Sequence, residues 1–156
     1  MRRVSLDDLS PVGSLRYRHR MKLKSLAYTS RARLDLTDED LHAIHRTARE
    51  LNALDGITGL LAFDGSRFLQ IIEGAEEGVD NLVARLRQDR RHSAFEVREE
   101  RFIEGRSFPG WSMELVLVTA GYLRASEEIS TELPATVTSA VRDVAFRMSE
   151  ELSQTS

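Results

Sequence analysis

Two apolar runs, residues 57–63 and 67–73, stand on either side of Asp64-Gly65, and that segment constrains the chain more than any other. An Asp-Gly pair tolerates the backbone angles of a tight hairpin turn, so apolar runs flanking it predict two paired antiparallel strands at the centre of a sheet. Side chains alternate across a strand. Phe68, Gln70 and Ile72 therefore share one face, and Leu69 and Ile71 the other. Gln70 falls in a row of apolar side chains. A buried primary amide has two donors and two acceptor sites that need partners once water is excluded, so Gln70 is either a satisfied core amide or a binding group.

Around this hairpin the hydrophobic periods set out the remaining elements. Residues 22–29 alternate loosely and predict a first strand with Leu26 and Tyr28 on one face. Thr37 suits a helix N-cap, with Asp38, Glu39 and Asp40 at the positive end of the dipole; Leu41, Ile44, Ala48 and Leu51 form a buried stripe that stops before Gly56. A second helix runs from about Glu76 to Asp89 on Val79, Leu82, Val83 and Leu86, and closes at Asp89-Arg90-Arg91-His92. Residues 94–102 read as an exposed strand and 112–118 as a more buried one, with the irregular loop EGRSFPGW between them.

This order, βαββαββ, predicts an α+β ferredoxin-like sandwich: a mixed five-stranded sheet with two helices on one face. Leu60, Leu69, Ile71, Val116 and Val118 would line the opposite face, too large an apolar patch to stay bare. A C-terminal helical extension opened by Pro134, with Val137, Val141, Val144 and Met148 as its stripe, supplies a cover for this sheet or for a partner's. Residues 124–133 read as a linker. The expected organisation is a basic extension over 1–20, one domain over 21–118 and a helical segment over 119–156.

Composition narrows the function classes. There is no cysteine, and the four histidines show no ligand spacing, so neither metal nor thiol chemistry is expected. No apolar run reaches membrane-spanning length, and the expectation is a soluble cytoplasmic protein. Residues 1–24 carry seven Lys or Arg against two Asp, a net +5 that leaves −8 on the rest. Such an arm can touch phosphates, but it also suits a solvated leader, and nucleic acid is not the favoured partner.

The residues able to carry chemistry are Tyr28, Gln70, Asn52 and the Trp111-Ser112-Met113 entry to the last strand. Each has a plain reading: Tyr28 as core packing with a tied hydroxyl, Asn52 as a helix cap, Trp111 and Met113 as filler. Glu73 reads as a solvated charge at a strand end. Taken together, Asn52 and Gln70 would satisfy a heterocycle bearing a carbonyl, a ring N–H and ring nitrogen acceptors, with a phenol beside it to give an electron and a proton. That chemistry points to a flavin.

Over about 22–118 the chain resembles the BLUF domains, blue-light sensors that use FAD. The segments that carry the resemblance are LAYTS at 26–30, GITGLLAFDGSRFLQIIEG at 56–74, DRRHS at 89–93 and FPGWSM at 108–113. The resemblance implies that Tyr28 and Gln70 hydrogen-bond near N5 and the C4 carbonyl of the isoalloxazine, and that Asn52 binds its C4 carbonyl and N3 edge. It also implies that Ile44, Phe68 and Leu86 pack on the ring, and that Asp89, Arg91 and His92 contact the pyrimidine edge and side chain. Ser30, Trp111 and Met113 match positions coupled to the switch. On the implied mechanism Tyr28 gives an electron and a proton to the excited flavin, Gln70 rotates or tautomerises, and a new hydrogen bond leaves the absorption shifted to the red.

FAD is the implied cofactor, with FMN and riboflavin as alternatives. A flavin enzyme is the competing class, but the sequence has no Gly-rich dinucleotide fingerprint and no visible second-substrate residues. A ligand-binding or assembly module that has lost light sensing is the third reading; retention of both Tyr28 and Gln70 weighs against it. The expected output is a contact with a separate effector protein or a homo-oligomer, made through the C-terminal segment.

Overall fold

The predicted hairpin turn is built by Asp64, whose Oδ1 accepts the backbone N–H groups of Ser66 (2.9 Å) and Arg67 (2.7 Å), while Gly65 supplies φ 99°. The computed structural model describes residues 22–117 and 133–153. From the turn spring β2 (Thr58–Phe63) and β3 (Arg67–Ala75), antiparallel with Phe63 opposite Phe68. Strand β1 (Leu23–Ala32) lies antiparallel on the other side of β3 and sets Tyr28 directly opposite Gln70. The edges are β4 (His92–Ile103), paired with β1, and β5 (Ser112–Leu117), which runs parallel to β2. The sheet order β4-β1-β3-β2-β5 is the ferredoxin-like arrangement with one added strand.

Helix α1 (Asp38–Leu54) begins as its sequence dictates. The Thr37 hydroxyl accepts the Asp40 N–H and the Asp40 carboxylate accepts the Thr37 N–H, both at 3.0 Å. That reciprocal cap satisfies two otherwise orphan donors. The helix stops where Gly56 takes φ 67°. Helix α2 (Glu76–Gln88) ends one residue earlier than its apolar period suggests, because Asp89 is already extended and His92 belongs to β4. Helices α1 and α2 lie on one sheet face, over a core of Leu26, Leu61, Ile72, Val79 and Leu82.

Helix α3 (Ser139–Ser153) covers the opposite face of its own sheet. Val137, Val141, Val144 and Met148 are buried there against Leu60, Leu69, Ile71 and Val116, each contributing about 1.5–3 kcal/mol of apolar burial. The helix does not open at Pro134. Pro134 begins a turn closed by the Val137 N–H, and the Thr138 side chain accepts the Val141 N–H.

Strand β5 is the more buried of the two edge strands, as expected, with Met113 and Val116 buried and Leu117 51% exposed. Two further expectations need correction. Leu51, expected in the buried stripe of α1, is 42% exposed. Glu73 is no solvated strand-end charge, since β3 runs on to Ala75 and the side chain is 0% exposed. It accepts the N–H groups of Ser107 (2.9 Å) and Phe108 (2.5 Å) from the loop folded beneath it. The expectations for residues 1–21, Val118 and the linker up to residue 132 lie outside the described residues.

Candidate functional site

Between α1 and α2, above the sheet, lies a partly open cleft of about 140 Å³. Ile44, Ala48 and Leu51 from α1, Leu82 and Leu86 from α2, and Leu61 and Phe68 from the sheet make its walls apolar. This explains the exposed Leu51: it lines the cleft, while Leu41, Ile44 and Ala48 of the same stripe reach the core. Apolar surface in that position is what a flat ligand would cover.

The polar floor is a short hydrogen-bond chain. The Tyr28 O–H donates to Gln70 Oε1, and Gln70 Nε2 donates to Met113 Sδ at 3.2 Å. A thioether can accept and cannot donate, so the sulfur fixes which way the amide points. All three residues are at most 4% exposed. Burial pushes the Tyr28 phenol well above its ordinary range, with the Asp89 charge adding to the effect. The phenol therefore stays protonated, and its ring stacks on Phe95 with centroids 4.4 Å apart.

Asn52, a second amide in the cleft, is 1% exposed, and its Nδ2 has no hydrogen-bond partner. It is not the helix cap, a role taken by Asp55. An orphaned amide donor buried in a cleft costs about 1–3 kcal/mol, and an acceptor on a bound molecule would relieve it. A planar heterocycle with carbonyl oxygens fits both this donor and the apolar walls.

His92 closes the β4 end. Its Nε2 lies 2.5 Å from the Leu86 carbonyl, which can only accept, so Nε2 carries the hydrogen. In the neutral ring Nδ1 then accepts from the Ser30 hydroxyl at 2.7 Å. At the mouth, Arg91 pairs with Asp89 at 2.6 Å and Arg85 with Asp55 at 3.2 Å. The Arg91 hydrogen bond holds the Asp89 carboxyl below its usual range, and the same bond holds the guanidinium further up.

The structure thus brings Tyr28, Ile44, Asn52, Phe68, Gln70, Leu86, Asp89, Arg91 and His92 to one cleft. Ser30 reaches it through His92, and Met113 through Gln70. Trp111 does not line it; the indole packs against the core of the opposite face, beside Phe108. Sequence reasoning missed Thr47, Arg85 and Phe95. Arg85 follows Leu82 by three residues, and that helical spacing was a signal for it. Phe95 gave no such signal, because a lone aromatic in a charged edge strand does not announce its stacking partner.

Residues 23–114 match the family model BLUF, sensors of blue-light using FAD. Among curated relatives, the photoactivated adenylate cyclase subunit beta of Euglena gracilis is 44% identical over 71 residues, 46% of this chain and 8% of that protein. The blue light- and temperature-regulated antirepressor BluF of Escherichia coli (strain K12) is 36% identical over 70 residues, 45% of this chain and 17% of that one. This chain therefore matches only a small part of either relative. Among solved structures, the BlrP1 BLUF domain superposes with a TM-score of 0.71 at 30% identity, covering 85% of this chain and 90% of that one. The dark-state structure of BlrB, a BLUF protein, gives 0.62 at 37% identity, covering 64% and 75%.

Proposed function

This chain belongs to the BLUF family of blue-light sensors using FAD, and from that premise we propose that it is a photoreceptor whose switch is the Tyr28–Gln70–Met113 hydrogen-bond chain. The observation that carries the reading is the Gln70 amide itself, buried and held between a phenol that donates to it and a sulfur that accepts from it. The amide has one orientation that satisfies both neighbours, and it can be reversed without any backbone movement.

A bound flavin supplies the blue-light absorber and, once excited, an electron acceptor. Asn52 would hold the ring through its free Nδ2; Ile44, Phe68 and Leu86 would pack on the ring faces. Arg85, Arg91 and His92 stand at the cleft, where two cationic side chains suit the phosphates of FAD. Tyr28 is the electron and proton donor. When its proton leaves, Gln70 Oε1 loses the donor that held it, and the amide is free to turn or tautomerise. Asp89 holds the Arg91 guanidinium in place, and Ser30 fixes the His92 ring.

The functional unit on this reading is 21–118, with the C-terminal segment as the output. Helix α3 rests on the sheet face opposite the cleft, and the Thr136 hydroxyl donates to the Ser107 carbonyl at 2.6 Å, in the loop clamped by Glu73. A shift in β5 would reach α3 by that route, and from it a separate effector protein or a second copy of the chain. The family's description as sensors favours a sensor over a flavin enzyme. No helix among the described residues is long and apolar enough to cross a membrane.

The test is an absorption spectrum of the purified protein with FAD, taken in darkness, directly after blue light and after recovery. A flavin spectrum with a reversible red shift is expected. Bound flavin with no shift would leave an enzyme or a sensor that no longer responds, and a colourless protein that refuses FAD, FMN and riboflavin alike would overturn the reading.

A further inference from the structure

Strand β5 departs from ordinary geometry at Met113, whose φ of 102° lies outside the range that L-residues adopt freely. The cause is a bulge. The β2–β5 register steps from Gly59 opposite Ser112 to Leu60 opposite Glu114, leaving Met113 as the extra residue. Gly59, paired with Ser112 beside the bulge, must be a glycine: a Cβ there would sit 1.9 Å from the Ile71 carbonyl oxygen on β3. Such a conformation costs about 1–3 kcal/mol and persists only where neighbours hold it. Two contacts do so. The Gly59 N–H donates to the Trp111 carbonyl at 2.9 Å, and His45 Nε2 lies 2.8 Å from the Met113 carbonyl. That carbonyl only accepts, so His45 is the donor.

We propose that His45 is a positioning residue of the switch: by donating to the strained Met113 backbone it keeps the methionine sulfur against Gln70, and so sets how quickly the lit state decays. The inference rests on the reading of Gln70 as the reversible group. With Sδ in place, the amide orientation that points Nε2 at sulfur is satisfied, whereas the reversed one would press a carbonyl oxygen against an atom with no hydrogen to give. Sulfur therefore drives the return. Without the His45 donor, Met113 is released to relax to negative φ and carry its sulfur away. The reversed amide then loses its penalty and the photoproduct lasts longer. His45 itself does not line the cleft; its ring sits at the edge of an open basin beside His42, Arg49 and Glu50, so its replacement reaches the cleft only through Met113.

The experiment compares the FAD-loaded full chain with His45→Leu, which keeps bulk and removes the donor, and His45→Gln, which restores a donor amide. Dark recovery should slow about fivefold in His45→Leu, the rate equivalent of one hydrogen bond of about 1 kcal/mol, and return close to wild type in His45→Gln. Unchanged or faster recovery in His45→Leu, or equal slowing in both variants, would overturn the proposal. A second readout needs no photocycle. In protein labelled at the methionine methyls, the dark-state Met113 resonance should move in His45→Leu and return in His45→Gln. A protein with no red shift at all would sink the photoreceptor reading while this comparison still decided whether His45 positions Met113; an unmoved methyl would end the inference.

Discussion

The two faces of the sheet are made by alternate residues of the same strands and solve opposite problems. Beneath α3, Leu69 and Ile71 meet Val141, Val144 and Met148 in a closed core, and a buried carboxylate, Glu73, has its oxygens tied to loop N–H groups. Beneath α1 and α2, the very next residues, Phe68 and Gln70, face a cleft with half-exposed leucine on its wall and an amide donor left without a partner. A face closed by protein elements holds the structure; a face that keeps an apolar cleft and an unpaired donor is able to take a ligand.

The contrast breaks most completely at Gln70 and Tyr28. Gln70→Leu and Tyr28→Phe should both still bind flavin, since the apolar walls and Asn52 remain, yet show no red shift after blue light. A normal shift in either, read in the light-minus-dark spectrum, would remove that residue from the switch. The corresponding change one residue away, Leu69→Ala, should leave the spectrum intact and destabilise the fold by about 2–5 kcal/mol, the cost of a cavity in a packed core. Leu51→Ala on the open face should move the ligand-free melting temperature hardly at all, because its side chain is already half in water. Urea melts of the two leucine variants decide the matter: equal losses would mean the faces are not different in kind.

Much of this division is legible in the sequence because strand alternation is local. The Asp64-Gly65 turn fixes the register of β2 on β3, and from that alone Gln70 and Leu69 fall on opposite faces. The α1 cap and the α3 stripe follow from equally local rules. What does not show is whatever depends on an irregular segment. The loop EGRSFPGW has no period, so nothing predicts that its N–H groups at Ser107 and Phe108 come back under β3 to bury Glu73. For the same reason the bulge at Met113, its His45 donor and the placement of Trp111 on the far face are invisible until the chain is folded. The helical stripe of α1 was visible, but periodicity reports which residues share a face and not whether a protein element covers it, so Leu51 was misread as buried.

Asn52 offers a finer probe, because its unsatisfied amide makes stability and binding disagree. Asn52→Ala removes a buried donor with no partner, so the ligand-free protein should be no less stable, and up to about 1 kcal/mol more so. Flavin affinity should fall about tenfold, since the hydrogen bond made by that donor is lost. Paired thermal melts and fluorescence titrations with FAD would show the two quantities moving apart. If both fell together, Asn52 would already be satisfied within the protein, and the cleft would lose its clearest mark of a missing ligand.

The smallest effect separates the faces by sign. Asp89, at the mouth of the open face, is held below its ordinary value of 3.8 by its bond to Arg91. Its contribution is therefore present above that value and disappears as pH falls through the depressed one; being partly solvated, the pair is worth under about 1 kcal/mol. Glu73 is pushed above its ordinary 4.5, chiefly by burial, with the Phe108 and Ser107 N–H groups opposing. Its contribution is fully present below pH 4.5 and declines as pH rises through the raised value. Melts of wild type, Asp89→Asn and Glu73→Gln between about pH 3 and 7 test both signs. The advantage of wild type over Asp89→Asn should close only at the acid end, while its standing against Glu73→Gln should worsen as pH climbs past 4.5. Two differences of the same sign would mean that Glu73 is as well solvated as Asp89, and the closed face would not be closed at Glu73.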